Sequence, residues 1–371
     1  MDILAINSLS TSVLWAGFSL AVVFGAITQR THFCTMGAVS DIVTMGDWTR
    51  MRMWAMAIGV AMIGFFGLAF FGLIEPAQTL YATNRFIWLS ALVGGGLFGF
   101  GMVLGSGCGS KTLVRIGGGS LKSLVVFLVL GLAAFATMKG ITAVLRVSTV
   151  DRIAIEFGSA ATLPNWLGPA LGVSSSVAGL GLALVIGLAL IFWALRGPDF
   201  ICRDNLLGGL GIGAVIAAMW WVSGHMGFVA EHPETLQETF LVTNSGRAEA
   251  LSFVAPVAYT LDWLILYSDK SKVLTLGIVA VFGVVVGSLL VSLASRSFRW
   301  EGFRNVQDTA NHLIGGVLMG VGGVTAMGCT VGQGLSGIST LSATSFVALA
   351  AIVGGAVLGL KFQMWRLERA A

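Results

Sequence analysis

The sequence predicts an all-α integral membrane protein: about nine transmembrane helices plus short re-entrant helices, arranged as an inverted-topology repeat. Three observations predict it. Of the 371 residues 56% are hydrophobic and only 10% charged, where soluble domains are about a quarter charged. Apolar runs long enough to cross roughly 30 Å of hydrocarbon, about 17 to 25 residues each, recur along the chain. A Gly-rich segment ending in Gly-Cys occurs twice, 221 residues apart. A mean hydropathy of +0.91 excludes a soluble fold.

Nine runs are expected to span: 13–27, 51–74, 88–104, 121–138, 173–195, 206–222, 273–294, 313–327 and 343–360. The shorter ones borrow Ser, Thr or Gly flanks, which a helix lined by protein tolerates and a lipid-facing one does not. Residues 1–12 carry one acid and no basic side chain, so they lack the positive region of a cleaved signal and are expected to stay attached. Alternating sides across nine spans puts 14 of the 21 Lys and Arg on one face. The positive-inside rule then places the carboxyl terminus in the cytoplasm and the amino terminus outside.

The repeat lays 92–108 (LVGGGLFGFGMVLGSGC) over 313–329 (LIGGVLMGVGGVTAMGC), with nine of seventeen positions identical. Gly94/Gly315, Gly99/Gly320, Gly101/Gly322, Gly107/Gly328 and Cys108/Cys329 coincide. The copies end the third and eighth spans, and five spans is an odd number, so they point opposite ways across the membrane. Halves 1–172 and 173–371 follow from this. Secondary transporters are commonly built so, with the solute site where interrupted helices of the two halves meet.

Each copy is followed by a short polar, Gly-rich segment, 109–120 (GSKTLVRIGGGS) and 330–342 (TVGQGLSGISTLS). Non-helical backbone at membrane depth persists only where it is buried in protein or lines a cavity, so both are expected to be re-entrant. Ser110 and Gln333 are their polar side chains on the expected solute path. The segment after the first span, 31–41 (THFCTMGAVSD), should have its partner after the sixth. Aligning Met36-Gly37 with Met226-Gly227 puts Gly224 opposite Cys34 and leaves 231–269 as an insertion on the outer face.

Chemistry centres on the cysteines. Cys34, Cys108 and Cys329 each sit at an interrupted helix among Gly, Ser and Thr, where backbone amides at helix N-termini favour anions. The competing reading is a small buried hydrophobe. Lys111 and Arg115, four residues apart on a short helix, would add charge near the inner mouth, or simply set topology. His32 is either a proton carrier or a hydrogen-bonded packing residue. Asp41 and Asp47 are expected to pair with Arg50 or Arg52, and Met36, Met102 and Met327 to form soft wall. Cys202 lies outside the repeat and is structural or incidental. With no CxxC and no Cys/His ligand spacing, neither a metal, a disulfide framework nor another cofactor is expected. No P-loop, nucleotide fingerprint or catalytic triad is present, so neither an enzyme nor an ATP-driven pump is indicated. No basic block with interleaved aromatics points to nucleic acid.

The segments THFCTMGAVSD, GSGCGSKTLVRIGGGS and MGCTVGQGLSG resemble the YeeE/YedE family of sulfur transporters, whose best-defined members take up thiosulfate. The resemblance implies an hourglass-like pore of nine helices in the bacterial inner membrane. It also implies pore-lining thiols at Cys34, Cys108 and Cys329, and a small cytoplasmic sulfur-carrier protein as partner. Uptake of thiosulfate past successive thiols by transient S–H···S hydrogen bonds is the leading expectation. Transport of another sulfur or selenium species stays open beside it. So does a membrane thiol–disulfide oxidoreductase, although that chemistry usually uses a thiolate-stabilised pair close in sequence. The sequence is silent on oligomeric state.

Overall fold

The computed structural model describes residues 3–233 and 235–370. Its helices are α1 (Ile3–Thr31), α2 (Thr35–Met45), α3 (Thr49–Phe70), α4 (Trp88–Leu104), α5 (Gly109–Gly117), α6 (Leu121–Lys139), α7 (Ile141–Ser148) and α8 (Leu163–Leu171). They continue as α9 (Ser175–Leu195), α10 (Arg203–Leu206), α11 (Ile212–Trp221), α12 (Ala255–Ile265), α13 (Leu276–Ala294), α14 (Val306–Thr325) and α15 (Ala343–Ala370). Among the described residues strand is confined to two short antiparallel pairs, β1 (Arg85–Phe86) with β2 (Ile155–Glu156) and β3 (Phe228–Val229) with β4 (Thr239–Phe240).

Among the described residues, eight helical segments are long and apolar enough to cross a membrane. They cover eight of the nine expected runs. The ninth, 313–327, overlaps α14, a helix of 20 residues that ends at Thr325. Its first two turns carry Gln307, Asp308, Asn311 and His312, so length suffices and apolarity does not. The run expected over 51–74 stops at Phe70, where Gly72 takes φ +68 and closes the helix; glycine reaches this left-handed conformation without steric cost. The chain is thus an all-α, multi-pass membrane protein.

Small residues set the packing. α4 and α14 cross antiparallel, so closely that a Cβ on Gly94 would lie 2.7 Å from the Gly322 carbonyl and one on Gly101 2.9 Å from the Gly315 carbonyl. Membrane helices associate through such small-residue contacts because lipid offers no hydrophobic drive to bring them together. At the offset of 221, Gly94 corresponds to Gly315 and Gly101 to Gly322. Each glycine therefore meets the counterpart of the other, which is the contact pattern of a two-fold axis. The flanking pairs repeat the relation. α4 packs on α15 and α14 on α6, with Gly99 against Ile352 and Gly320 against Leu130.

The counterpart of α2 differs from the expected one. α2 packs on α3 and α15, whereas α12 packs on α13 and α6. Both helices have 11 residues, and Phe33-Cys34 before one matches Phe253-Val254 before the other. Val254, not Gly224, thus stands in the position of Cys34. Gly224 lies in a π-helical turn, Val222–Met226, that ends the sixth span. Within 231–269 lie β4 and α12.

Lys and Arg gather at one end of the bundle, where Lys122 reaches Glu301 at 2.5 Å and Arg30 reaches Asp204 at 3.0 Å. The strand pairs, α7, α8 and the bridge between Thr79 and Ala248 lie at the other end.

Candidate functional site

Both copies of the repeat break the helix in the same way. After α4, Ser106 takes φ +57, the Gly107 amide donates to the Met102 carbonyl at 2.8 Å and the Ser106 amide to that of Val103 at 3.2 Å. After α14, Met327 takes φ +56, Gly328 donates to Gly323 at 2.8 Å and Met327 to Val324 at 3.0 Å. This left-handed closure satisfies the last carbonyls of each helix. It also turns the chain so that the next residue, a cysteine, starts a new helix.

All three cysteines of the repeat motifs stand at helix starts. Cys34 caps α2 and its Sγ accepts the Gly37 amide at 3.4 Å. Cys329 accepts the Gly332 amide at 3.4 Å. Cys108 precedes α5, with Sγ 3.3 Å from Ser110 Oγ. Cap positions ordinarily hold Ser, Thr, Asp or Asn; a thiol there is a weaker donor with a soft, polarizable acceptor. The positive ends of these helices point at the thiols.

The thiols are buried at 6%, 1% and 0% exposure for Cys34, Cys108 and Cys329. Cys108 lies within interaction range of the Cys34 thiol and of Thr330, and the Cys329 thiol is close enough to feel Cys108 electrostatically. The fold therefore gathers three cysteines that are distant in sequence. All four cysteines are free thiols, and Cys202 is exposed at the start of α10.

Cavities approach this cluster from both ends. At the basic end one of about 510 Å³ is lined by Gln29, His32, Lys111, Arg115, Arg299 and Arg304. At the opposite end one of about 380 Å³ includes Lys139, Arg146, Glu249, Ser252 and Gly328 in its lining, and an adjoining one of about 600 Å³ includes Arg85, Arg146, Arg247 and Met327. Arg146 and Met327 line both, and Met327-Gly328 leads directly into Cys329.

Lys111 and Arg115 thus face a cavity together, joined by His32, which takes φ +54 beside Cys34. Ser110 touches the Cys108 thiol. Gln333 is 1% exposed and occupied by the protein itself, since its Nε2 donates to the Ala326 carbonyl at 2.6 Å and Ser345 Oγ donates to its Oε1 at 2.6 Å. It braces the turn that carries Cys329, as does Tyr81, whose hydroxyl donates to the Gly332 carbonyl at 2.6 Å. Burial holds the Tyr81 phenol protonated, well above the ordinary tyrosine range. Asp41 pairs with Arg50 at 3.3 Å, while Asp47 accepts the Thr49 amide and hydroxyl instead.

Sequence reasoning missed the cations that line the cavities at the end opposite Lys111 and Arg115. Arg85, Lys139, Arg146 and Arg247 are scattered over more than 160 residues, with no spacing that joins them. Arg146 lies on α7, pairs with Asp151 at 3.3 Å and keeps a buried Nε without a partner. Glu249 was also missed. Burial pushes its carboxyl above the ordinary range, partly offset by donors from Ser245 and Asn244.

Residues 30–358 match the family described as Sulphur transport. The chain is 28% identical over 348 residues to the thiosulfate transporter TsuA of Escherichia coli (strain K12), covering 93% of each chain. It is also 28% identical over 345 residues to the thiosulfate transporter TsuA of Spirochaeta thermophila, covering 91% of this chain and 94% of that one.

Proposed function

Because this chain belongs to the Sulphur transport family, we propose that it is a transporter that carries thiosulfate inward through the buried cysteine cluster, the solute being the one for which both relatives are named. The observation that carries this reading is the convergence of three cysteines at helix starts between cation-lined cavities at the two ends. The positive-inside rule sets the basic end in the cytoplasm, with the amino terminus outside. Arg85, Arg146, Arg247 and Lys139 then collect the dianion at the outer mouth. Lys111 and Arg115 receive it at the inner one, where a small cytoplasmic sulfur-carrier protein would take it over.

Between the mouths the anion must shed water. Helix-end amides stabilise any anion, so they do not separate thiosulfate from sulfate. The thiols do. Thiosulfate presents a terminal sulfur that matches a soft thiol in a transient S–H···S hydrogen bond. Sulfate offers only hard oxygens, which a weak donor compensates poorly. Each inadequately paired buried group costs on the order of 1 to 3 kcal/mol, so one such site discriminates by roughly five- to over a hundredfold.

Purified protein in liposomes tests the relay. Cys108→Ser keeps the size and supplies a harder donor, and should abolish or greatly reduce thiosulfate uptake. Cys34→Ser and Cys329→Ser should be milder and Cys202→Ala nearly silent. Wild-type uptake by the triple serine variant would return the three cysteines to packing.

A further inference from the structure

Six buried side-chain polar atoms among the described residues have no hydrogen-bond partner, and two of them are the hydroxyls of Thr35 and Thr330. These residues directly follow Cys34 and Cys329 and are 3% and 0% exposed. A third such hydroxyl, that of Thr28, lies inside α1 away from any capping thiol, and several other helical threonines are satisfied. Thr31, Thr112, Thr137, Thr260 and Thr325 each donate to the carbonyl four residues earlier, at 2.7 to 3.0 Å. Thr35 and Thr330 are the first residues of their helices. The carbonyl four positions back belongs to the preceding turn, so the usual acceptor is out of reach.

An unpartnered buried hydroxyl is rare and destabilising, yet it recurs here at two matching places. Both hydroxyls stand beside a capping thiol at the positive end of a helix; the Cys108 thiol is near Thr330 but makes no hydrogen bond of good geometry with it. A hydroxyl is a hard donor and a thiol a soft one. A sulfur oxyanion with a sulfonate face and a terminal sulfur needs one of each.

We propose that Thr35 and Thr330 are the oxygen-side ligands of the constriction, donating to the sulfonate oxygens of the passing anion while the neighbouring thiols face its terminal sulfur. This rests on the reading of the cysteine cluster as the path of a sulfur oxyanion. It adds the residues that hold the half of the solute which thiols serve poorly.

The test replaces each threonine by valine, which keeps the β-branched shape and removes the donor, and by serine, which keeps the donor. Thr35→Val and Thr330→Val should each lower thiosulfate uptake in proteoliposomes about tenfold or more, the size expected for one lost hydrogen bond to a charged group. Their thermal midpoints in detergent should be unchanged or higher, since no internal bond is lost. Serine should restore uptake. Wild-type uptake by both valine variants would overturn the inference and leave the substrate assignment standing. Lower thermal midpoints without rescue by serine would show a packing role and overturn it too. Should the wild-type protein carry sulfite or sulfate instead of thiosulfate, valine variants that lose that flux would uphold the inference while the substrate assignment fails.

Discussion

Replacing Gln333 by leucine removes both ends of a buried amide brace and leaves its shape nearly intact. The Ala326 carbonyl loses a donor at 2.6 Å and Ser345 Oγ an acceptor at 2.6 Å. With Gln333 1% exposed, water does not reach either group. A buried polar group left unpaired costs about 1 to 3 kcal/mol, so Gln333→Leu should destabilise by about 2 to 6 kcal/mol, a large part of a typical total of about 5 to 15. Ser345→Ala leaves only Oε1 unpaired and should cost roughly half as much. Because both act on one network, the double variant should fall short of the sum. Thermal unfolding in detergent reads the energies. Maleimide labelling of Cys329 reads the local effect, since the brace holds Ala326-Met327-Gly328 in place and its loss should speed modification. A Gln333→Leu protein that unfolds with the wild type and labels at the wild-type rate would refute the reasoning.

Lys111→Gln and Arg115→Gln should lower thiosulfate uptake while the protein inserts and accumulates normally; normal uptake by both would reduce these residues to topology. Glu249 should make uptake acid-stimulated. Its carboxyl is raised by burial, so the neutral form gains as pH falls through that raised value and the charge that repels an incoming dianion disappears. Glu249→Gln should flatten the pH profile of uptake at its acidic level. Glu301 is held below the ordinary range first by its hydrogen bond to Lys122. The stability it contributes is present above the ordinary carboxylate range and lost as pH falls through the lowered value, so Glu301→Gln should remove that acid-side loss from thermal midpoints measured against pH.

The repeat was legible because backbone contact leaves only one residue type available. Where Gly94 meets Gly322 and Gly101 meets Gly315, any side chain collides with a carbonyl, and the constraint writes itself into the sequence twice. The kinship of α2 and α12 left no such mark. Cys34 and Val254 stand at corresponding positions, but no close approach forces a common residue on the two helices, and Pro256 opens α12 with a signal that α2 lacks. Cysteine identity pointed to the cluster, whereas the hydroxyls of Thr35 and Thr330 could not be found in advance. Their distinction is the absence of an acceptor, a property of surroundings and not of residue type. The cations of the other end were hidden for a similar reason, since Arg85, Arg146 and Arg247 meet only once α7 and the two loops are brought together. Gln333 sits among glycines and serines like a solute ligand, and only its two filled hydrogen bonds reveal a strut.

The glycine seam between α4 and α14 is a joint without play. Slid by one residue, it would set the side chains of Phe100 or Met102 against backbone that now admits no Cβ, so α4 and α14 fit closely in this register and not in its neighbours. Beyond the seam, the left-handed Ser106 and Met327 turn the chain into Cys108 and Cys329, so both thiols are positioned from the same fixed joint.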